Sequence, residues 1–126
     1  RVSSTVYDLG GHRVTLYGGG ESEPSLPAPP AGAVRFVAIS DTHTQHRQLP
    51  RVPDGDVLLH TGDFTNTGTL EEVQDFATWL ATMPHAHKLL VPGNHDLSCD
   101  AEWYMSHWHD WHDECQSPAE AARLRS

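Results

Sequence analysis

Three apolar runs in succession each end in groups able to bind a metal ion or a phosphate, and few folds accommodate that pattern. Val34-Arg35-Phe36-Val37-Ala38-Ile39-Ser40 runs into Asp41-Thr42-His43. Val57-Leu58-Leu59-His60-Thr61 runs into Gly62-Asp63, and Leu89-Leu90-Val91 runs through Pro92 into Gly93-Asn94-His95-Asp96. Short apolar runs closed by Gly or Pro read as buried strands, here over about residues 34–40, 56–61 and 88–91. Between the second and third, Thr69-Leu70-Glu71-Glu72 has the form of a capping box. Leu70, Val73, Phe76, Ala77, Leu80 and Met83 follow at helical spacing, with Pro84 past the end. Strand, helix, strand predicts a right-handed parallel crossover. Ligands of an open parallel sheet sit outside the carboxyl ends of its strands, so all three clusters fall at one end.

The flanking segments organise the chain less strongly. Residues 1–20 hold two short alternating pieces, Thr5-Val6-Tyr7 and Arg13-Val14-Thr15-Leu16-Tyr17, separated by glycines. They read as a peripheral strand pair or as a disordered leader. The proline-rich residues 21–33 read as a linker, which places the main domain at 34–126. After Asp96, Tyr104, Trp108, Trp111 and Cys115 fall on one stripe and predict a second helix. His109, His112 and Asp113 share its other side; without a fourth donor they read as a solvated face. Residues 119–125 are helical in pattern but polar.

The chain has 126 residues, a net charge of −9 and ten histidines. An acidic chain without clustered Lys and Arg is a poor ligand for a nucleic-acid backbone. It can still accept a phosphate where bound cations reverse the local charge. No run is long and apolar enough to span a membrane. Cys99 and Cys115 fit no zinc motif and read as free thiols of a reducing, cytoplasmic setting. A start at Arg1 carries the expectation of a fragment or a processed product. His60 reads as a packing residue within a strand, His46 as a loop residue, and His85 and His87 as flanks of a turn.

The remaining groups suggest chemistry. Asp41, His43, Asp63 and Asn94 offer oxygen and imidazole donors suited to Mg²⁺ and first-row divalent metals. Asp63, between the other two clusters, is placed to bridge two cations; a pair roughly 3.5–4 Å apart clamps a phosphoryl group and activates water. His95 can protonate a leaving alkoxide or stabilise phosphoryl charge, with Asp96 fixing its tautomer. Gly62 and Gly93 let the backbone come close.

Asp-x-His, Gly-Asp and Gly-Asn-His-Asp, each after a strand and in this order, resemble the calcineurin-like metallophosphoesterase superfamily over about residues 34–97. The stretch Arg35 to His43, the loop Gly62-Asp63-Phe64-Thr65 and Trp79-Leu80 are similar to the animal metallophosphoesterase domain-containing proteins. The resemblance implies an α/β fold, part of an αββα sandwich with mostly parallel strands and flanking helices. It implies hydrolysis of small phosphomonoesters or phosphodiesters with two divalent ions drawn from Mn, Fe, Zn, Mg and Ni. Asp41 and His43 would hold the first ion, Asp63 would bridge, Asn94 would hold the second, and His95 with Asp96 would serve the phosphate and leaving group. Family members add later metal-binding histidines, including a Gly-His-x-His motif, and no Gly-His-x-His follows Asp96 here. The expectation is therefore the N-terminal half of such a domain, with an uncovered sheet edge. The alternative is a truncated, non-catalytic product that binds a metal or a partner.

Overall fold

The computed structural model describes residues 3–9, 12–18, 28–49 and 51–124. Strands β1 (Ser3–Leu9) and β2 (His12–Gly18) form an antiparallel pair. Residues 21–27 of the expected linker lie outside the described residues. Strands β3 (Phe36–Ile39), β4 (Val57–His60) and β5 (His87–Leu90) form a parallel sheet in that order. Ile39 pairs with His60 and His60 with Leu90, so the three strands end level and their loops lie side by side.

Strand β3 starts later than its apolar run, because other pairing takes over at its start. Arg35 N donates to Asp56 Oδ2 at 2.7 Å, and the Arg35 carbonyl accepts from the Asp56 and Val57 amides. Helix α1 (Leu70–Ala81) begins with the predicted capping box: Thr69 Oγ1 accepts from Glu72 N, and Glu72 Oε2 accepts from Thr69 N. Glu72 also accepts from the Asn66 and Thr67 amides, tying the loop after β4 to the helix start. The helix closes where Thr82 N and Thr82 Oγ1 both turn back to the Trp79 carbonyl.

The buried face of α1 differs in one respect from the predicted stripe. Phe76 and Trp79 are buried, with Val73, Leu80 and Met83 packed around them, whereas Ala77 is exposed. A large indole removes far more apolar area from water than a methyl group, so the helix turns Trp79 inward. Phe64 stacks on Phe76 at 4.6 Å, and His60 meets both rings edge-on at 5.9 and 5.0 Å. Gly62 N donates to His60 Nδ1, so Nε2 carries the proton toward Thr42 Oγ1 at 3.0 Å. His60 is thus the packing residue expected. His46, expected in a loop, is buried against Phe76 and Trp79, with Nε2 3.1 Å from Asp75 Oδ2. On the opposite sheet face, Val34, Phe36, Leu89 and Val91 are all more than half exposed, while Val57 is buried.

The second predicted helix is broken. Helix α2 (Ala101–His107) starts at the Asp100 cap and stops at a 3₁₀ turn over Trp108–Asp110. Ser106 Oγ and His107 Nδ1 both engage the Trp103 carbonyl, which competes with the helical ladder there. Helix α3 (Pro118–Leu124) folds back so that Ala121 meets Leu97 and Tyr104, and Tyr104 Oη donates to the Ala121 carbonyl. Trp108 and Cys115 pack on this cluster, and desolvation pushes the Cys115 thiol above its usual range. Trp111 turns outward. His112 does not join a solvated face: it is buried, with Nε2 3.1 Å from Thr67 O and Nδ1 3.2 Å from Glu114 Oε1.

Burial pushes the imidazoles of both His46 and His60 below their usual range, so folding favours their neutral forms. The unfolded chain protonates them at about pH 6.5, and the folded chain only at lower pH. Their contribution is therefore complete above about pH 6.5 and is lost as pH falls toward the folded values. The urea midpoint is expected to drop between about pH 7.5 and about pH 5.5. A midpoint that stays flat or rises on acidification contradicts this reading.

Candidate metal centre

The loops that leave β3 and β4 are zipped together by backbone hydrogen bonds. Asp41 N donates to Gly62 O, His43 N to Asp63 O and Thr44 N to Phe64 O, each at 3.0 Å. This pairing holds four non-glycine residues in the left-handed region: Asp41 (φ 56°), His43 (39°), Thr44 (63°) and Asp63 (55°). Such conformations cost on the order of 1 kcal/mol or more each and persist only where their surroundings impose them.

The third loop is fastened by Asp96. Its buried carboxylate accepts from Asp63 N (2.8 Å), Phe64 N (3.4 Å), Thr65 N (2.9 Å), Thr65 Oγ1 (2.7 Å) and Gly93 N (2.8 Å). Thr65 Oγ1 also donates to the His95 carbonyl, and His95 N donates to Asp63 Oδ1 at 2.9 Å. The approach is close enough that a Cβ on Gly93 would fall 2.7 Å from Asp63 N, and one on Gly62 2.9 Å from Gly93 Cα. Both glycines are required by lack of space.

This fastening brings His43, Asp63 and His95 together: one ligand atom from each lies within 4.8 Å of the others. His43 Nδ1 is 3.2 Å from the Thr65 carbonyl, and His95 Nδ1 is 2.8 Å from the Asn66 carbonyl. Carbonyl oxygens accept but do not donate, so each Nδ1 carries the proton and Nε2 is left as the nitrogen able to ligate. The two rings meet edge-on at 4.6 Å. Two imidazoles and a carboxylate form a donor set suited to a borderline divalent ion such as Zn²⁺ or Mn²⁺.

The predicted residues divide in this arrangement. Asp41 and Asn94 are exposed at the same strand ends, and the Asp41 carboxylate accepts from Ser40 Oγ outside the close cluster. His95, expected at the leaving group, stands among the donors. Asp96, expected to fix the His95 tautomer, spends its carboxylate on the loop amides, and the Asn66 carbonyl takes that part. The sequence marks Thr65 only as part of the Gly62-to-Thr65 loop and does not mark Asn66 at all. Their position directly after Gly62-Asp63 was the available signal, since a loop this tight needs side chains and carbonyls to complete its bonding.

Comparison with known proteins agrees with the geometry. The family model for calcineurin-like phosphoesterases matches residues 34–124. A UPF0046 protein of Caenorhabditis elegans is 55% identical over 74 residues, covering 58% of this chain and 26% of its own length. Human metallophosphoesterase domain-containing protein 1 is 46% identical over 77 residues, covering 61% of this chain and 23% of its own. A second UPF0046 protein of C. elegans is 47% identical over 76 residues, covering 60% and 26%. The chain thus spans about a quarter of the length of these relatives. It belongs to the calcineurin-like phosphoesterase family.

If Asp96 is the fastening, its loss is felt without any metal. Asp96→Ala leaves several buried donors without an acceptor and is expected to cost about 3 kcal/mol or more, measured by urea unfolding in chelator. A loss below about 1 kcal/mol contradicts the assignment.

Proposed function

We propose that this member of the calcineurin-like phosphoesterase family hydrolyses small phosphate esters at the carboxyl ends of β3, β4 and β5. The observation that carries the reading is the convergence of His43, Asp63 and His95 from three separate loops. Divalent ions, when bound, supply positive charge for the phosphoryl oxygens and lower the pKa of water into the neutral range. His43, Asp63 and His95 would hold one ion. Asp41 and Asn94, at the ends of the neighbouring strands, would add donors for a second. Asp96 does not touch substrate; it positions Asp63 and the turn that carries His95. Gly62 and Gly93 let the two loops pack in direct contact. Phosphomonoesters and phosphodiesters are both substrate classes on this reading, and the two thiols suit a reducing, cytoplasmic compartment.

One observation favours a second reading. The open face carrying Val34, Phe36, Leu89 and Val91 is apolar, so the described residues leave part of the sheet uncovered. On that reading the chain binds metal, or a partner, and turns nothing over.

Hydrolysis of bis(p-nitrophenyl) phosphate in Mn²⁺ tests both. Chelator-sensitive turnover is expected, reduced by about 100-fold or more in His43→Ala and Asp63→Ala, both still folded. Turnover insensitive to chelator, or unchanged in both variants, contradicts the phosphoesterase reading. Metal binding without turnover selects the second.

A further inference from the structure

We infer that Trp111 is a positioning residue for His95, so that the segment following α2 completes the metal centre that the three strand-end loops begin. The inference rests on the reading of that centre given above. The Trp111 ring lies 5.5 Å from the His95 ring at an interplanar angle of 78°. His95 is therefore held three ways: by the Asn66 carbonyl at Nδ1, by His43 edge-on at 4.6 Å, and by Trp111 edge-on from another segment. The terminal torsion of a histidine is broad, so one hydrogen bond fixes an atom but not the ring plane. Two edge-on rings fix the plane, and with it the direction of Nε2.

The chain around Trp111 is built to hold it there. The helix breaks at His107, and the Trp111 amide donates to the Trp108 carbonyl at 3.1 Å. A continuous helix would have put Trp111 on the stripe with Tyr104 and Trp108, facing Leu97 and Ala121. Instead Trp111 stays 37% exposed and outside both core clusters. The next residue, His112, is buried with Nε2 3.1 Å from Thr67 O, one residue beyond the carbonyl that holds His95. The 108–112 turn and the 65–67 loop thus form one unit around the His95 ring.

Co²⁺ titration of the full chain tests this, read by visible absorption and by tryptophan emission. Trp111→Ala is expected to weaken Co²⁺ binding about tenfold and shift the visible band, with the metal-free melting midpoint unchanged. Trp111→Phe keeps an edge-on ring and is expected to restore most of the affinity. Wild-type affinity and spectrum in Trp111→Ala overturn the inference, as does a Phe variant no better than Ala. If His43→Ala and Asp63→Ala abolish binding while Trp111→Ala leaves it at wild-type strength, only the role of Trp111 falls. Binding indifferent to His43→Ala and Asp63→Ala removes the metal centre and this inference with it.

Discussion

The carboxylate of Asp96, 2% exposed, accepts from the amides of Asp63, Phe64, Thr65 and Gly93 and from the Thr65 hydroxyl. A buried charge is costly unless surrounded by donors, and this one is surrounded. The same bonds join the loop after β4 to the turn after β5. They act with the backbone pairing between the β3 and β4 loops, which holds Asp63 at φ 55°, and they draw Gly62 against Gly93. The candidate donor set therefore depends on a hydrogen-bonded carboxylate placed next to it.

Below the loops, the core and the site share residues. His60 packs on Phe64 and Phe76 while its Nδ1 accepts from Gly62 N and its Nε2 reaches Thr42, between Asp41 and His43. Glu72 caps α1 and also holds the Asn66 and Thr67 amides. The Asn66 carbonyl in turn faces His95. The helix start, the aromatic core and the candidate ligands form one connected structure, the arrangement that preorganises a first shell by locking its supports.

Much of this was legible in the sequence. Three successive apolar runs, two of them closed by Gly or Pro, marked the three parallel strands, and Thr69 to Glu72 marked the capping box, because each signal lies in neighbouring residues. The tail over residues 119–125 read as helical and forms α3. What the sequence concealed depends on contacts between distant segments. The roles of Thr65 and Asn66 need the turn after β5 in place. The break after His107 comes from Ser106 and His107 side chains competing for one carbonyl, which a periodic apolar stripe does not register. His46 reads as a loop residue and His112 as part of a solvated face, yet each is buried against a partner many residues away: Trp79 for His46, the Thr67 carbonyl for His112.

The central claim is that the ends of β3, β4 and β5 make a divalent-metal site for phosphate esters. Crystals soaked in Mn²⁺ and inorganic phosphate, with anomalous diffraction recorded at the manganese edge, address it most directly. The account predicts an anomalous peak within about 2.2 Å of donor atoms of His43, Asp63 and His95, with phosphate density beside it. A peak only at the histidines around 107–112, or none at the strand ends, would contradict it.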